Sequence, residues 1–116
     1  MLERRQLRRI GTSLFIKFSV NDDLEKNFGS FTQDISTGGA RLLSFKRPKV
    51  NDDLELRIDV PNNPDITIAE GNVRWVGEEA LKDDIGKDVF PVGVEFTFMD
   101  RQDRAYLEEF LKQHSL

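Results

Sequence analysis

The sequence predicts an all-β fold with a terminal helix: a small antiparallel barrel or sandwich of six strands, covered by one C-terminal helix. Three observations predict it. Apolar and polar residues alternate over short stretches, turn-forming residues separate those stretches at hairpin spacing, and the period changes from two to helical after Met99. A chain of 116 residues has room for one such core and a short terminal element.

The elements follow in order. Residues 1–10 are polar and basic, with Leu2, Leu7 and Ile10 the apolar members. From Thr12 to Val20 the alternation puts Leu14, Ile16, Phe18 and Val20 on one face, a half-buried strand. Asn21-Asp22-Asp23 reads as a turn, Phe28–Ile35 as the second strand, and Ser36-Thr37-Gly38-Gly39 as its break. Ala40–Phe45 is the third strand, followed by a loop over Lys46–Asp53. Leu54, Leu56, Ile58 and Val60 then alternate with Glu55, Arg57 and Asp59. Pro61-Asn62-Asn63-Pro64 turns the chain into a fifth strand, Ile66–Val76, bulged or bent at Gly71. Residues 77–89 read as an acidic loop and Phe90–Met99 as the sixth strand. Asp100 is placed to cap a helix, with Asp103 as a shortened capping-box acid. Tyr106, Leu107, Phe110 and Leu111 mark the buried face of a helix ending near residue 114. Asn-Asp-Asp-Leu occurs at 21–24 and again at 51–54. Four turn residues do not make a repeat, so the echo carries no weight.

Composition excludes several classes of function. With no cysteine, disulfides, thiolate metal sites and cysteine nucleophiles are absent, in keeping with a reducing cytoplasm. No apolar run is long enough to span a membrane, and the apolar stretch at Leu14–Val20 is too short and interrupted for a cleavable signal peptide. The formal charge of −4 is unevenly spread. Residues 1–9 hold four arginines against Glu3, a charge of +3, which leaves −7 on the remaining 107 residues. An acidic body repels a long nucleic acid, whereas a concentrated basic tip suits a small anion.

Two local patterns carry chemistry. One is Arg4-Arg5-Gln6-Leu7-Arg8-Arg9, ahead of the first strand. The other is Asp34-Ile35-Ser36-Thr37-Gly38-Gly39, at a strand-to-strand turn, with 24 residues between Arg9 and Asp34. Together they resemble the PilZ family, whose members are six-stranded β-barrels that bind cyclic di-GMP through an Arg-x-x-x-Arg segment and an Asp/Asn-x-Ser-x-x-Gly turn. The likeness maps the first motif to Arg5 and Arg9, led by Arg4, and the second to Asp34, Ser36 and Gly39. It extends over roughly residues 3–113, through Gly71–Val76, Val92–Phe96 and the closing helix.

The resemblance implies a single domain: residues 1–11 as a flexible basic switch segment, 12–99 as the PilZ-like barrel and 100–114 as the helix. It implies cyclic di-GMP as ligand, contacted by Arg4, Arg5, Arg8, Arg9, Asp34, Ser36, Gly38 and Gly39, with Arg4 and Arg8 available to a second, stacked nucleotide. No cofactor, metal or catalytic residue is expected. The residues suit this ligand chemically. Guanidinium bonds guanine O6/N7 or phosphate in bidentate fashion and stacks on bases. Asp34 offers an acceptor to the donor edge of guanine, and Ser36 either steadies the turn or touches the ligand. Gly38 and Gly39 permit a positive φ or a close backbone approach.

Other residues read more plainly. Trp75 is expected in the core or at the barrel rim rather than as a stacking platform, and Arg74 is expected outward in solvent rather than at a ligand. The acidic pairs Asp22-Asp23, Asp52-Asp53 and Asp83-Asp84 are solvated turns without calcium-loop spacing. His114, the one histidine, sits at a helix end, too remote for a nucleophile pair with Ser36. The expectation is a cytoplasmic bacterial receptor, monomeric or weakly dimeric, acting through an effector protein in motility or biofilm regulation. No output domain is attached within this sequence. The rivals are a PilZ-like scaffold acting only through protein contacts, and a barrel that binds single-stranded nucleic acid.

Overall fold

The computed structural model of the chain describes residues 14–21, 23–83 and 85–114, the first six residues of its second strand by backbone alone. Among the described residues seven strands and one helix follow each other: β1 Phe15–Val20, β2 Asp23–Ile35, β3 Gly39–Ser44, β4 Asp53–Ile58, β5 Thr67–Val76, β6 Leu81–Lys82, β7 Asp88–Met99 and α1 Arg101–His114. Antiparallel pairing runs β3-β2-β1-β4-β5-β7, and β7 then pairs back onto β3. The result is a closed six-stranded barrel with β6 outside it.

The alternation seen in the sequence explains the interior. Leu14, Ile16, Phe18 and Val20 are all buried, as are Leu54, Leu56, Ile58 and Val60. They meet Ile35 of β2, Leu42 of β3, Val73 of β5 and Val92 of β7 in one core. Leu107, Phe110 and Leu111 of α1 join the same core, so the helix lies over the barrel with its apolar stripe inward. Asp100 caps it as expected, its carboxylate accepting the Gln102 amide at 3.1 Å. Asp103 has a different task. Its two oxygens accept the Asn63 amide nitrogen at 3.2 Å and the Ile68 backbone N–H at 3.1 Å, fastening the helix to the start of β5.

Two stretches depart most from the sequence reading, and a third feature follows it. β2 begins at Asp23 rather than Phe28, because Val20 already pairs with Asp23 across a tight turn. Its polar opening carries no alternation to reveal it. The 77–89 segment is a small hairpin: β6 pairs with Val89 and Asp88, and the Asp83 carboxylate accepts the Ile85 and Lys87 amides. β5 does bend at Gly71, where its register against β7 shifts. A Cβ there would stand 2.8 Å from both Leu56 and Val94 side chains.

The Asn-Asp-Asp-Leu echo proves structural. Asn21 and Asn51 both take a left-handed backbone, with φ of 50° and 76°, a conformation that asparagine tolerates better than most residues. Asn21 exchanges backbone and side-chain hydrogen bonds with Asp53, its N–H donating to Asp53 O at 2.6 Å and its Oδ1 accepting Asp53 N–H at 2.9 Å. Its amide also donates to Asp52 at 3.3 Å. The two turns interlock.

Candidate functional site

The Asp34–Gly39 turn joins β2 to β3 at the barrel surface. Ser36 is wholly buried and holds the turn shut. Its N–H donates to Gly39 O at 2.9 Å, and its hydroxyl accepts the Gly38 N–H at 3.1 Å. The hydroxyl also reaches Gly39 O at 3.4 Å. The turn is then clamped from two sides. Gly38 O accepts the Phe96 amide of β7 at 2.9 Å, and Arg104 of α1 donates to Thr37 O at 3.4 Å.

The glycines serve a purpose other than a positive φ. Among the described residues the positive-φ glycine is Gly86. Gly39 instead lets β3 close on β7, since a Cβ there would stand 2.3 Å from the Val94 carbonyl oxygen. The motif glycine is thus a condition of barrel closure.

Strand register assembles a surface that the sequence does not display. Asp34 of β2 pairs with Arg41 of β3, Arg41 pairs with Gly93 of β7, and Gly93 pairs with Trp75 of β5. One row therefore crosses four strands. The Trp75 indole lies down over Gly93, where a Cβ would stand 2.1 Å from its Nε1. The Arg41 guanidinium sits 5.6 Å from the Trp75 ring centroid, a cation–π contact. Asp34, Gly38, Gly39, Arg41, Arg74 and Trp75 all line an open groove of about 510 Å³. Arg74 meets Glu95 at its edge, 3.5 Å apart.

The structure thus brings Asp34, Gly38 and Gly39 to one groove and keeps Ser36 inside the turn beneath it. Trp75 lies on the outer face of the sheet, 43% exposed and lining the groove, and Arg74 lines it too instead of standing apart in solvent. Arg41 and Gly93 went unnoticed in the sequence. Arg41 lies two residues beyond Gly39 and so shares its strand face, and Gly93 is an isolated glycine inside a strand, a mark of close approach. Arg4, Arg5, Arg8 and Arg9 lie outside the described residues. The first described residue, Leu14, is pinned to β2: its N–H donates to Thr32 Oγ1 at 2.9 Å and its carbonyl accepts the Thr32 N–H at 3.0 Å. Thr32 is two residues from Asp34. Among the described residues no cluster of His, Cys, Asp or Glu is arranged to hold a metal, and no helix is long and apolar enough to cross a membrane.

The chain is a closed antiparallel barrel with an open surface groove at a serine-locked turn. The family model for the PilZ domain matches residues 3–113, and the chain belongs to that family. No curated protein matches it by sequence. Solved structures share the fold at low identity. The Bacillus subtilis inhibitor of motility MotI/DgrA superposes with a TM-score of 0.75 at 18% identity, over 97% of this chain and 51% of that one. The PilZ domain of Escherichia coli YcgR with cyclic di-GMP gives 0.71 at 11% identity, over 97% and 92%. The K. pneumonia MrkH–cyclic di-GMP complex gives 0.68 at 18% identity, over 97% and 52%. The chain spans about half the length of MotI/DgrA and MrkH.

Proposed function

We propose that this chain is a bacterial cytoplasmic receptor that binds cyclic di-GMP in the groove at the Asp34–Gly39 turn, catalyses no reaction, and relays binding to a partner protein in motility or biofilm control. The observation that carries the reading is the row Asp34–Arg41–Gly93–Trp75, which floors an open groove beside the motif turn. Family membership and the YcgR and MrkH complexes with cyclic di-GMP support it.

The groove matches the ligand's chemistry. An indole face and a guanidinium plane side by side offer a guanine base something to stack on. Asp34 accepts from the guanine donor edge, and the arginines of the leading segment neutralise the phosphodiesters through charge-assisted bonds. Connectivity permits this. Arg9 is five residues from Leu14, so chain geometry keeps it within about 17 Å of that residue, and Leu14 is tied to β2 next to the groove. Ordering this basic segment over the ligand changes the surface that a partner meets.

Titration calorimetry with cyclic di-GMP, against GTP and a short oligonucleotide, tests the reading. Arg5→Ala and Arg9→Ala are each expected to weaken binding about tenfold or more, since a hydrogen bond to a charged group contributes about 1.5–3 kcal/mol. Asp34→Ala is expected to do the same with the far-ultraviolet dichroism unchanged. Heat from the oligonucleotide but not from cyclic di-GMP assigns the barrel to single strands. No heat from either leaves the scaffold role.

A further inference from the structure

The outer face of the barrel carries a second registered row, and it is apolar. Phe15 pairs with Phe31, Phe31 with Leu43, and Leu43 with Pro91, a strip across β1, β2, β3 and β7. The Phe15 and Phe31 rings meet edge to face, 5.4 Å between centroids. Phe45, just past the end of β3, and Ile85 in the β6–β7 hairpin line an open groove of about 550 Å³ together with Phe15, Phe31 and Leu43 of the strip and buried Ser30. Phe31, Phe45 and Ile85 are 54%, 51% and 77% exposed. Contiguous apolar groups left in water and rimmed by charge mark an interaction surface, unlike single scattered ones.

The rim says what fits. On a body whose net charge is negative, lysines stand along this patch. Lys17 follows Phe15 on the outer face of β1, with Arg57 opposite it in register. Lys46 directly follows Phe45. Lys87 stands beside the hairpin tip. Among the described residues Glu55, Asp59, Asp83 and Asp88 are the acids close by, Asp88 paired with Lys82. Glu55 meets Arg57 at 3.4 Å, Asp59 lies beside Phe15, and the Asp83 carboxylate is taken up by the turn amides of Ile85 and Lys87.

We propose that this groove docks a partner protein through a segment that inserts large apolar side chains and flanks them with Asp or Glu. A cavity of about 150 Å³ already holds a benzene ring, so the groove has room for several side chains, whereas a flat bilayer surface leaves it unfilled. The proposal rests on the relay reading for the existence of a protein partner, and the surface itself is distinct from the groove at Asp34.

The test is selection of a phage-displayed library of random short peptides on the folded chain, with and without cyclic di-GMP. Phe31→Ser with Ile85→Ser serves for counter-selection, its fold checked by far-ultraviolet dichroism. Enriched peptides are expected to combine aromatic or branched apolar residues with net negative charge and to bind the double variant about tenfold more weakly or worse. Lys17→Glu with Lys46→Glu leaves the strip intact and is expected to shift selection toward basic peptides. Enrichment of basic peptides on the wild type, binding that both variants retain, or no groove-dependent peptide at all overturns the proposal. Two further outcomes do so by assigning the face elsewhere. One is binding to phosphatidylcholine–phosphatidylserine vesicles that the Ser variant loses while no peptide is enriched. The other is a dimer by sedimentation equilibrium that the Ser variant turns into a monomer. Calorimetry with cyclic di-GMP on the wild type reads the receptor role separately. Normal nucleotide binding without peptide selection removes this proposal alone, and absent nucleotide binding with acidic peptides selected removes the receptor role alone.

Discussion

Alanine at Gly93 is expected to lift the single tryptophan off the barrel without breaking the barrel itself. The new Cβ would stand 2.1 Å from Trp75 Nε1 and 2.3 Å from Cε2, too near for any real contact. The indole is 43% exposed and has open space outward, so the ring yields and the strand stays. Lifting it gives up the Arg41 contact, about 0.5–1 kcal/mol at an exposed site, and forces an off-rotamer side chain, about 0.5–1.5 kcal/mol. The lower unfolded-state entropy of alanine offsets about 0.4–1 kcal/mol of that. A net loss of about 0–2 kcal/mol remains, which at the usual unfolding entropy per residue lowers Tm by at most about 8 °C. Thermal melts followed by dichroism read the stability. Emission from the one tryptophan reads the indole, with a red shift expected as it enters water. Cyclic di-GMP affinity is expected to fall about tenfold, equivalent to about 1.4 kcal/mol. Unchanged emission together with a raised Tm contradicts the placement of the indole over Gly93.

Three further substitutions separate the roles within and around the turn. Gly39→Ala drives a Cβ into the Val94 backbone carbonyl, which cannot swing aside, so denaturant unfolding is expected to show a loss of about 3 kcal/mol or more. Stability within 1 kcal/mol of wild type, as an order of magnitude, contradicts the tight β3–β7 seam. Ser36→Ala strips the acceptor from the Gly38 N–H and is expected to cost about 1–3 kcal/mol in the same assay. A large affinity loss at unchanged stability would instead turn that hydroxyl toward the ligand. Asp103→Ala removes both bonds that fasten α1 to β5, and a urea midpoint shift equivalent to about 1–2 kcal/mol is expected.

Strand identity was readable wherever one face is buried and the other wet, because burial then imposes a period of two on the sequence. β1 and β4 are the clear cases, with every expected inward residue inside. The method fails where that asymmetry is missing. The opening of β2 runs Asp-Leu-Glu-Lys-Asn, and two-residue β6 is exposed throughout, so neither imprints a pattern. Closure was beyond reach for another reason. β3 and β7 are far apart along the chain, and nothing local in Gly39–Ser44 names its partner. The same distance hid half the groove. Asp34 and the motif turn are contiguous and so recognisable, whereas Arg41, Gly93 and Trp75 become neighbours through register alone.

The central place of β7 has a consequence for how the molecule is made. It pairs with β3, β5 and β6, and it follows all three in chain order. Until Asp88–Met99 is available, β3 and β5 present unsatisfied edges, open to mispairing with other chains. Acquisition of the native state is therefore a late, largely all-or-none event governed by contacts distant in sequence. Its rate should belong with slow β-topologies rather than fast helical bundles, and C-terminal truncation into β7 should leave an aggregation-prone nascent chain.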